Sequence, residues 1–319
     1  MRLRLVVEAF LSCALLICGT VVCAQGYPSK PVRIFTALPG ASGDFIARLL
    51  AQGISGPLGQ PVIVDNRGGF ISMETVAKSP PDGYSLLIYA STLWIVPLVE
   101  NVSWDALRDF APVTLAAKTP SIVVVHPSLP VNSIRQLIAF AKARPGELNF
   151  GSSPPGSSQH LAGELFIAMT GIKLVNITYK SSGSAQIGLL SGEVHVMFPA
   201  GGSAAPHVKS GRVRALAIAS PQPSALFPGL PTVSNSGLPG YDFVTITGVF
   251  APAATPAAII SKLHQEITRT VNQPQVKERM FNEGLEVVGG SSEELAAAMK
   301  SEVAKFSKLI KDAGIRANN

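Results

Sequence analysis

Apolar and polar positions along this chain follow two periods, one of strands and one of helices. Val32-Arg33-Ile34-Phe35-Thr36-Ala37 is β-rich and about one buried strand long. Past the turn Leu38-Pro39-Gly40-Ala41-Ser42-Gly43-Asp44, the residues Phe45, Ile46, Leu49, Leu50 and Ile54 recur at helical spacing. The same alternation predicts strands over 61–65, 85–89, 122–125, 148–150, 173–177, 194–198 and 214–219. Between them it predicts helices over 133–143, 158–169 and 184–190. Strand–helix alternation implies an α/β fold with largely parallel sheets covered on both faces.

The C-terminal part changes character. Thr255 is expected to cap a helix with Pro256 at its first position, followed by Ile259, Ile260, Leu263, Ile267 and Val271. A last helix is expected from the capping box Ser291-Ser292-Glu293-Glu294, with Leu295, Met299, Val303, Phe306 and Ile310 as its apolar stripe. Two places read as crossings between domains: the 121–126 strand closed by Pro127, and the Pro/Gly/Ser-rich stretch 220–240. The expected organisation is one lobe from 25–125 and 225–319, with a second, 126–224, inserted into it. A cleft between two such lobes is a usual place for a small-molecule site.

Composition narrows this further. Residues 1–24 read as a secretory signal peptide: Arg2 and Arg4, then 5–22 apolar apart from Glu8, Ser12 and Thr20, then cleavage after Ala24. An uncleaved anchor is the alternative. Val22 before Cys23 and Ile17 before Cys18 speak against a lipoprotein signal. All three cysteines lie in this leader, so disulfides, thiolate catalysis and cysteine-held metals drop out of the mature chain. Loss of Arg2, Arg4 and Glu8 takes the formal charge from +6 to +5, dispersed without Lys/Arg runs. That charge attracts anions gently and does not form a nucleic-acid site.

Two turns carry candidate chemistry. A small-residue turn at a helix N-terminus leaves backbone N–H groups unpaired at the positive end of the helix dipole. Pro39, Gly40, Ala41, Ser42 and Asp44 form one such turn, and it accepts an anion without Lys or Arg. The bland alternative is an ordinary strand-to-helix turn capped by Ser42 or Asp44. The second turn is 151–158, with Ser157 or Ser158 as N-cap and Gln159-His160-Leu161 opening the helix. One such loop from each lobe, facing one cleft, would clamp a small acid.

Enzymatic and metal chemistry find no support. The chain has no G-x-S-x-G, G-x-G-x-x-G, Walker A or H-E-x-x-H motif, and its five histidines show no metal-ligand spacing. His195 reads as structural and His160 as a cap or hydrogen-bond donor. Asp44 reads as holding its loop rather than transferring protons. Neither a metal nor a cofactor is expected.

The residues also resemble a known family. Tyr27-Pro28-Ser29-Lys30-Pro31, Pro39-Gly40 through Asp44 to Ala47-Arg48, Pro81-Asp82-Gly83-Tyr84 and Asp109-Phe110-Ala111-Pro112-Val113 are similar to landmarks of the Bug family. These are the solute-binding receptors of tripartite tricarboxylate transporters. Further matches are Ser157-Ser158-Gln159-His160-Leu161-Ala162-Gly163-Glu164-Leu165-Phe166, Leu230-Pro231-Thr232-Val233 to Gly240-Tyr241, and Ala251-Pro252 with Thr255-Pro256. They span essentially the whole mature sequence. The resemblance implies an α/β, two-lobed periplasmic-binding-protein type II fold with a ligand cleft between the lobes. It implies a periplasmic, monomeric, non-enzymatic receptor for a small organic carboxylate, working with integral membrane permease subunits or with a sensor protein. It nominates Pro39, Gly40, Ala41, Ser42 and Asp44 facing Ser152, Ser153, Ser157 and Ser158, with Tyr179 and Ser184 at the next strand-to-helix junction.

Departures from the family pattern bear on the ligand. Gly40-Ala41 replaces a double glycine, and 68–73 is shorter and more apolar than usual. Pro199-Ala200 replaces an Asp-Asn pair, and Ile246-Thr247 stands where an aromatic is common. The swaps point to a more apolar ligand, such as an aromatic or branched carboxylate. The readings from other classes are a sensing receptor with the same pocket and an extracytoplasmic enzyme acting on organic acids.

Overall fold

A computed structural model describes residues 26–68 and 70–315. The expected signal peptide, and Gly69 of the 68–73 loop, lie outside the described residues. Two β-sheets form, and the chain visits the first, then the second, then the first again. The first sheet holds β1 (Val32–Thr36), β2 (Val62–Asn66), β3 (Ser85–Ala90), β4 (Phe110–Pro120), β10 (Val244–Pro252) and β11 (Glu286–Gly290), in the order β11-β4-β10-β3-β1-β2. The second holds β5 (Ile122–Val125), β6 (Asn149–Ser152), β7 (Val175–Thr178), β8 (Val196–Met197) and β9 (Arg214–Ile218), in the order β7-β6-β8-β5-β9.

The expectation of largely parallel sheets is corrected. β1 pairs parallel with β2 and β3, and β6 with β7 and β8. β10 lies antiparallel between β3 and β4, β11 is antiparallel to β4, and β5 is antiparallel to both β8 and β9. The parallel pairs are those joined through helices; the antiparallel ones are made where the chain crosses between sheets or returns. At the crossing, β4 ends at Pro120 and β5 begins at Ile122, leaving Ser121 between the sheets. Ala219 N donates to Ser121 O at 2.8 Å and Phe243 N to Ala219 O at 2.9 Å, so the crossing segments lie side by side.

The helices are α1 (Ser42–Leu58), α2 (Ile71–Ala77), the single turn α3 (Thr92–Ile95), α4 (Ile134–Ala143), α5 (Ser158–Thr170), α6 (Ser182–Ser191), α7 (Gly201–Lys209), α8 (Ala257–Val271), α9 (Pro274–Asn282) and α10 (Ser292–Ala313). α4 begins after Ser133, whose hydroxyl accepts from Gln136 N. α10 carries the expected capping box of Ser291 with Glu294. α8 starts one residue later than expected: Pro256 is the N-cap, and Thr255 Oγ1 donates back to Pro252 O at 2.7 Å.

One buried cluster packs α1, α8 and α9 on the first sheet through Ile46, Leu50, Ile54, Leu263, Ile267, Val276 and Met280. A second lies within the β5–β9 sheet around Ile122, Leu189, Val194 and Met197. The largest joins both, bringing Trp94, Leu295 and Phe306 from the first part against Phe150, Phe166 and Phe198 from the second. Tyr241, fully buried, donates its hydroxyl to Ala162 O of α5 at 2.8 Å and ties the return crossing to that helix.

Candidate functional site

A cleft of about 390 Å³ opens between the two sheets. From the first part it is lined by Thr36, Ala37, Ala41, Ser42 and Gly43, by Ile88, Tyr89, Ala90 and Thr92, and by Thr119, Thr245 and Thr247. From the second come Ser153, Ser157, Ser158, Gln159, Ser182, Phe198 and Ala200, with Ser121 at the crossing. No Asp, Glu, Lys, Arg or His is among these lining residues.

What the cleft has in place of charge is helix N-termini. α1, α5, α6 and α7 all begin on it. In α1 the first intrahelical bond is Phe45 N to Ala41 O, so the amides of Ser42 and Gly43 precede it. In α5 it is Leu161 N to Ser157 O, in α6 Ala185 N to Ser181 O, and in α7 Ala204 N to Ala200 O. Each leaves its first-turn N–H groups without an intrahelical acceptor. Hydroxyls and the positive ends of four dipoles therefore define the polarity of the cavity. Its apolar surface comes from Ala37, Ala41, Ile88, Tyr89, Ala90, Phe198 and Ala200.

The nominated residues divide into two groups. Ala41, Ser42, Ser153, Ser157 and Ser158 line the cleft together. Pro39 and Gly40 sit exposed on the turn beside it. Asp44 is buried beneath that turn, where its carboxylate accepts from Gly40 N (3.1 Å) and Asn66 Nδ2 (2.8 Å) and pairs with Arg48 Nε (2.9 Å). Burial opposes its ionisation, but the bonds from Arg48, Asn66 and Gly40 outweigh this and hold its pKa below the usual carboxylate value. Neither Ser42 nor Asp44 caps α1; its N-cap is Ala41, with no side-chain bond.

Ser152 is buried in β6 and donates to Asn176 Oδ1. Tyr179 packs over Gly188 within the second-sheet cluster, its hydroxyl pushed up to about 12 by burial and the Glu193 carboxylate. Ser184 is consumed by the capping box of α6, bonded to Ser181. α6 begins two residues earlier than the periodicity suggests, so Ser182 takes the place on the cleft. Ser157 is the N-cap of α5 and accepts from His160 N.

His160 accepts from Gly156 N through Nδ1, a capping contact ahead of α5, while its Nε2 faces Glu164 Oε1 at 3.6 Å; burial lowers its pKa. His195 Nδ1 likewise accepts from Asn149 N. Among the described residues no group of three His, Cys, Asp or Glu is placed to hold a metal ion.

Two lining residues, Thr119 and Thr245, carried no sequence signal; they sit on strands visible only once β4 and β10 are paired. Thr247 and Ala200 were marked only as departures from the family pattern, and Ala200 proves to head α7. Gln159 was within reach, standing in the helix-opening motif directly after Ser158.

A larger groove of about 610 Å³ lies along α7 and the 226–230 turn, but it meets α7 at its C-terminal end. Its Arg214 is already engaged by the Leu129 and Val131 carbonyls.

Residues 46–315 match the model of the tripartite tricarboxylate transporter family receptor. A protein encoded in the tcbD–tcbE intergenic region of Pseudomonas sp. (strain P51) is 36% identical over 300 residues, covering 92% of this chain and 89% of its own. BugT of Bordetella pertussis is 33% identical over 322 residues, 99% of this chain and 98% of its own. Among solved structures, Rpa4515 of R. palustris with adipate is 32% identical at a TM-score of 0.79, covering 92% of this chain and 100% of its own. The periplasmic binding protein BugD is 29% identical at a TM-score of 0.76, with the same coverage.

Proposed function

This chain belongs to the tripartite tricarboxylate transporter receptor family, whose members are binding receptors and not enzymes, and on that premise we propose that it captures a small organic carboxylate in the cleft between its sheets. The observation that carries this reading is the convergence of four helix N-termini on a cavity with no charged side chain among its described lining residues. Such a cavity favours an anion by dipole and amide hydrogen bonds, and a planar carboxylate fits amides from two sides. The 32% identical R. palustris protein holds adipate, a carboxylate with an apolar body.

The contacts we assign are the amides of Ser42, Gly43, Ser158 and Gly201, with the hydroxyls of Ser42, Ser153, Ser158 and Ser182. Ile88, Tyr89, Phe198 and the alanines 37, 41, 90 and 200 form an apolar wall. That wall favours an aromatic or branched carboxylate over a small polar one. Pro39, Gly40 and Asp44 shape the first turn; Ser152, Tyr179 and Ser184 support their own elements.

The lobes follow the sheets: β1–β4 with β10 and β11 in one, β5–β9 in the other, with crossings at Ser121 and within 219–243. Binding is lobe closure, which a ligand drives by contacting the closed state better than the open one. The mature receptor begins at Gln25, resides in the periplasm and delivers its ligand to integral membrane permease subunits as a monomer.

The test is thermal unfolding of the protein from Gln25 onward against carboxylates that include aromatic, branched and small dicarboxylic acids. A ligand that binds only the folded state adds about 2.7 kcal/mol at a hundredfold excess over Kd. A saturable rise of the midpoint with an apolar carboxylate supports the reading. Binding of small dicarboxylates alone removes the apolar assignment, and silence with every acid removes the carboxylate assignment.

A further inference from the structure

Gln159, the second residue of α5, is only 5% exposed, yet it lines the cleft beside Ser182 of α6. Its Nε2 donates to Ser182 Oγ at 2.5 Å. Its Oε1 is buried with no hydrogen-bond partner among the described residues. A buried acceptor without a donor is destabilising, and departures of that kind concentrate at functional sites.

The chemistry of the pair is asymmetric. A serine hydroxyl has one proton and two lone pairs, whereas a primary amide has a donor end and an acceptor end. While the amide donates to Oγ, the Ser182 proton is left for another acceptor. With the amide turned round, Ser182 would donate to Oε1 and present a lone pair to the cleft. Only the first arrangement suits a carboxylate, which has no proton to give.

We propose that Gln159 is a positioning residue for the ligand: it holds the Ser182 hydroxyl as a donor to a carboxylate oxygen at the N-terminus of α6. Ser182 is then a point at which the receptor favours an ionised acid, the stronger acceptor, over its neutral ester. This rests on the carboxylate reading above and adds to it the residue pair that sets donor polarity on the second lobe.

The titratable groups on the elements bearing the pair, and on those across the cleft, are His160 and Glu164 on α5, Lys180 before α6, Asp44 on α1 and Tyr89 on β3. Among the described residues His160, Glu164, Lys180 and Asp44 make no hydrogen bond or ion pair with Gln159 or Ser182. A glutamate placed at 159 supplies its own titration: buried, it ionises above its ordinary range. Ionised, it accepts from Ser182 and reverses the hydroxyl; protonated, it donates as the amide does.

The experiment uses the protein from Gln25 onward with adipate, benzoate and 4-hydroxybenzoate as probes, each beside its methyl ester. Calorimetric affinities of wild type, Gln159→Glu and Ser182→Ala are compared at pH 8 and pH 5.5, with unliganded melting midpoints as a folding control. The proposal expects both variants to bind the acids about tenfold or more weakly at pH 8. It expects Gln159→Glu, but not Ser182→Ala, to regain affinity relative to wild type at pH 5.5, and the ester, a weaker acceptor, to lose less than the acid in Ser182→Ala. Wild-type affinity in Ser182→Ala, or a Gln159→Glu defect equal at both pH values, overturns it while leaving the carboxylate reading intact. If wild type binds none of the three acids, the carboxylate reading falls and this inference falls with it.

Discussion

Ala41 and Ala200 occupy the same position on two different helices: each is an N-cap without a side-chain acceptor, and each lines the cleft. The single turn α3 aside, the other two helices that begin there are capped by their own serines, Ser157 and Ser181. Alanine is among the poor N-cap residues, so α1 and α7 leave amides open that a better cap would fill. Ala41→Ser and Ala200→Ser are expected to stabilise the unliganded protein by about 0.5–1 kcal/mol each. Both should weaken carboxylate binding, because the new hydroxyl competes for the same N–H groups. Ala200→Asp should weaken it most, through like charge. Melting midpoints with and without ligand report both effects; higher stability with unchanged affinity would show these amides do not hold the ligand.

Asp44 should matter through the turn it holds. Asp44→Asn keeps the shape but loses the charge facing Arg48 and Gly40 N, at an expected cost of about 1–2 kcal/mol at pH 7. The carboxyl is depressed in the folded state, so its stabilisation is present above the unfolded value near 4 and is lost as pH falls through the folded one. The gap between wild type and variant should therefore be constant from pH 8 to about 5 and close below about 4. Denaturant unfolding across that range checks it.

Glu302 gives the opposite sign. It is buried on α10, its Oε2 accepts from Trp94 Nε1 at 2.8 Å, and burial raises its pKa despite the bonds from Trp94 and Ser91 and the charge of Lys305. The folded state then holds a proton the unfolded chain has released, so stability falls as pH rises from the unfolded value near 4.3 towards the folded one. Glu302→Gln keeps the acceptor for Trp94 and removes that slope. It should match wild type near pH 4 and exceed it at pH 8 in chemical unfolding.

Gly202 of α7 and Gly284 before β11 pack backbone against backbone across the two halves. A Cβ on Gly284 would stand 2.3 Å from Gly202 Cα, and Gly284 has φ +74°. Gly284→Ala meets both the left-handed strain and the collision, so about 1–3 kcal/mol of destabilisation is expected. Midpoints for Gly284→Ala and for Gly314→Ala, a positive-φ glycine with open space around it, separate the two causes. Equal losses would show that the close approach is unimportant.

The elements legible in the sequence were those whose signal is local. β1, α1, α5 and α10 announce themselves through apolar period, turn residues and caps. β4, β10 and β11 did not. β4 is an 11-residue strand buried on both faces for much of its length, containing Pro112 and Lys118, and lacks alternation. β10 mixes Val244-Thr245-Ile246-Thr247 with a fully apolar half, and β11 is five residues with two glycines. Their pairing is settled by partners more than a hundred residues away in sequence, which local pattern does not encode; hence the parallel expectation. The site divides the same way. Two anion turns were readable because glycine and serine mark them, whereas the part played by α7 depends on Ala200, which stood out only as a departure from the family pattern and has no polar atom to suggest a helix start. Ser184 was favoured over Ser182 because the start of α6 is set by the cap Ser181, three residues ahead of the expected helix start.

The most direct test of the central claim is the amide spectrum of the isotopically labelled protein during titration with the carboxylate that most raises its midpoint. The account predicts saturable shifts, on one binding curve, at the amides of Ser42, Gly43, Ser158 and Gly201. Shifts centred instead on Lys209, Arg214 and the 226–230 turn would contradict it, because they would place the acid on side-chain cations and not on the helix N-termini of the cleft.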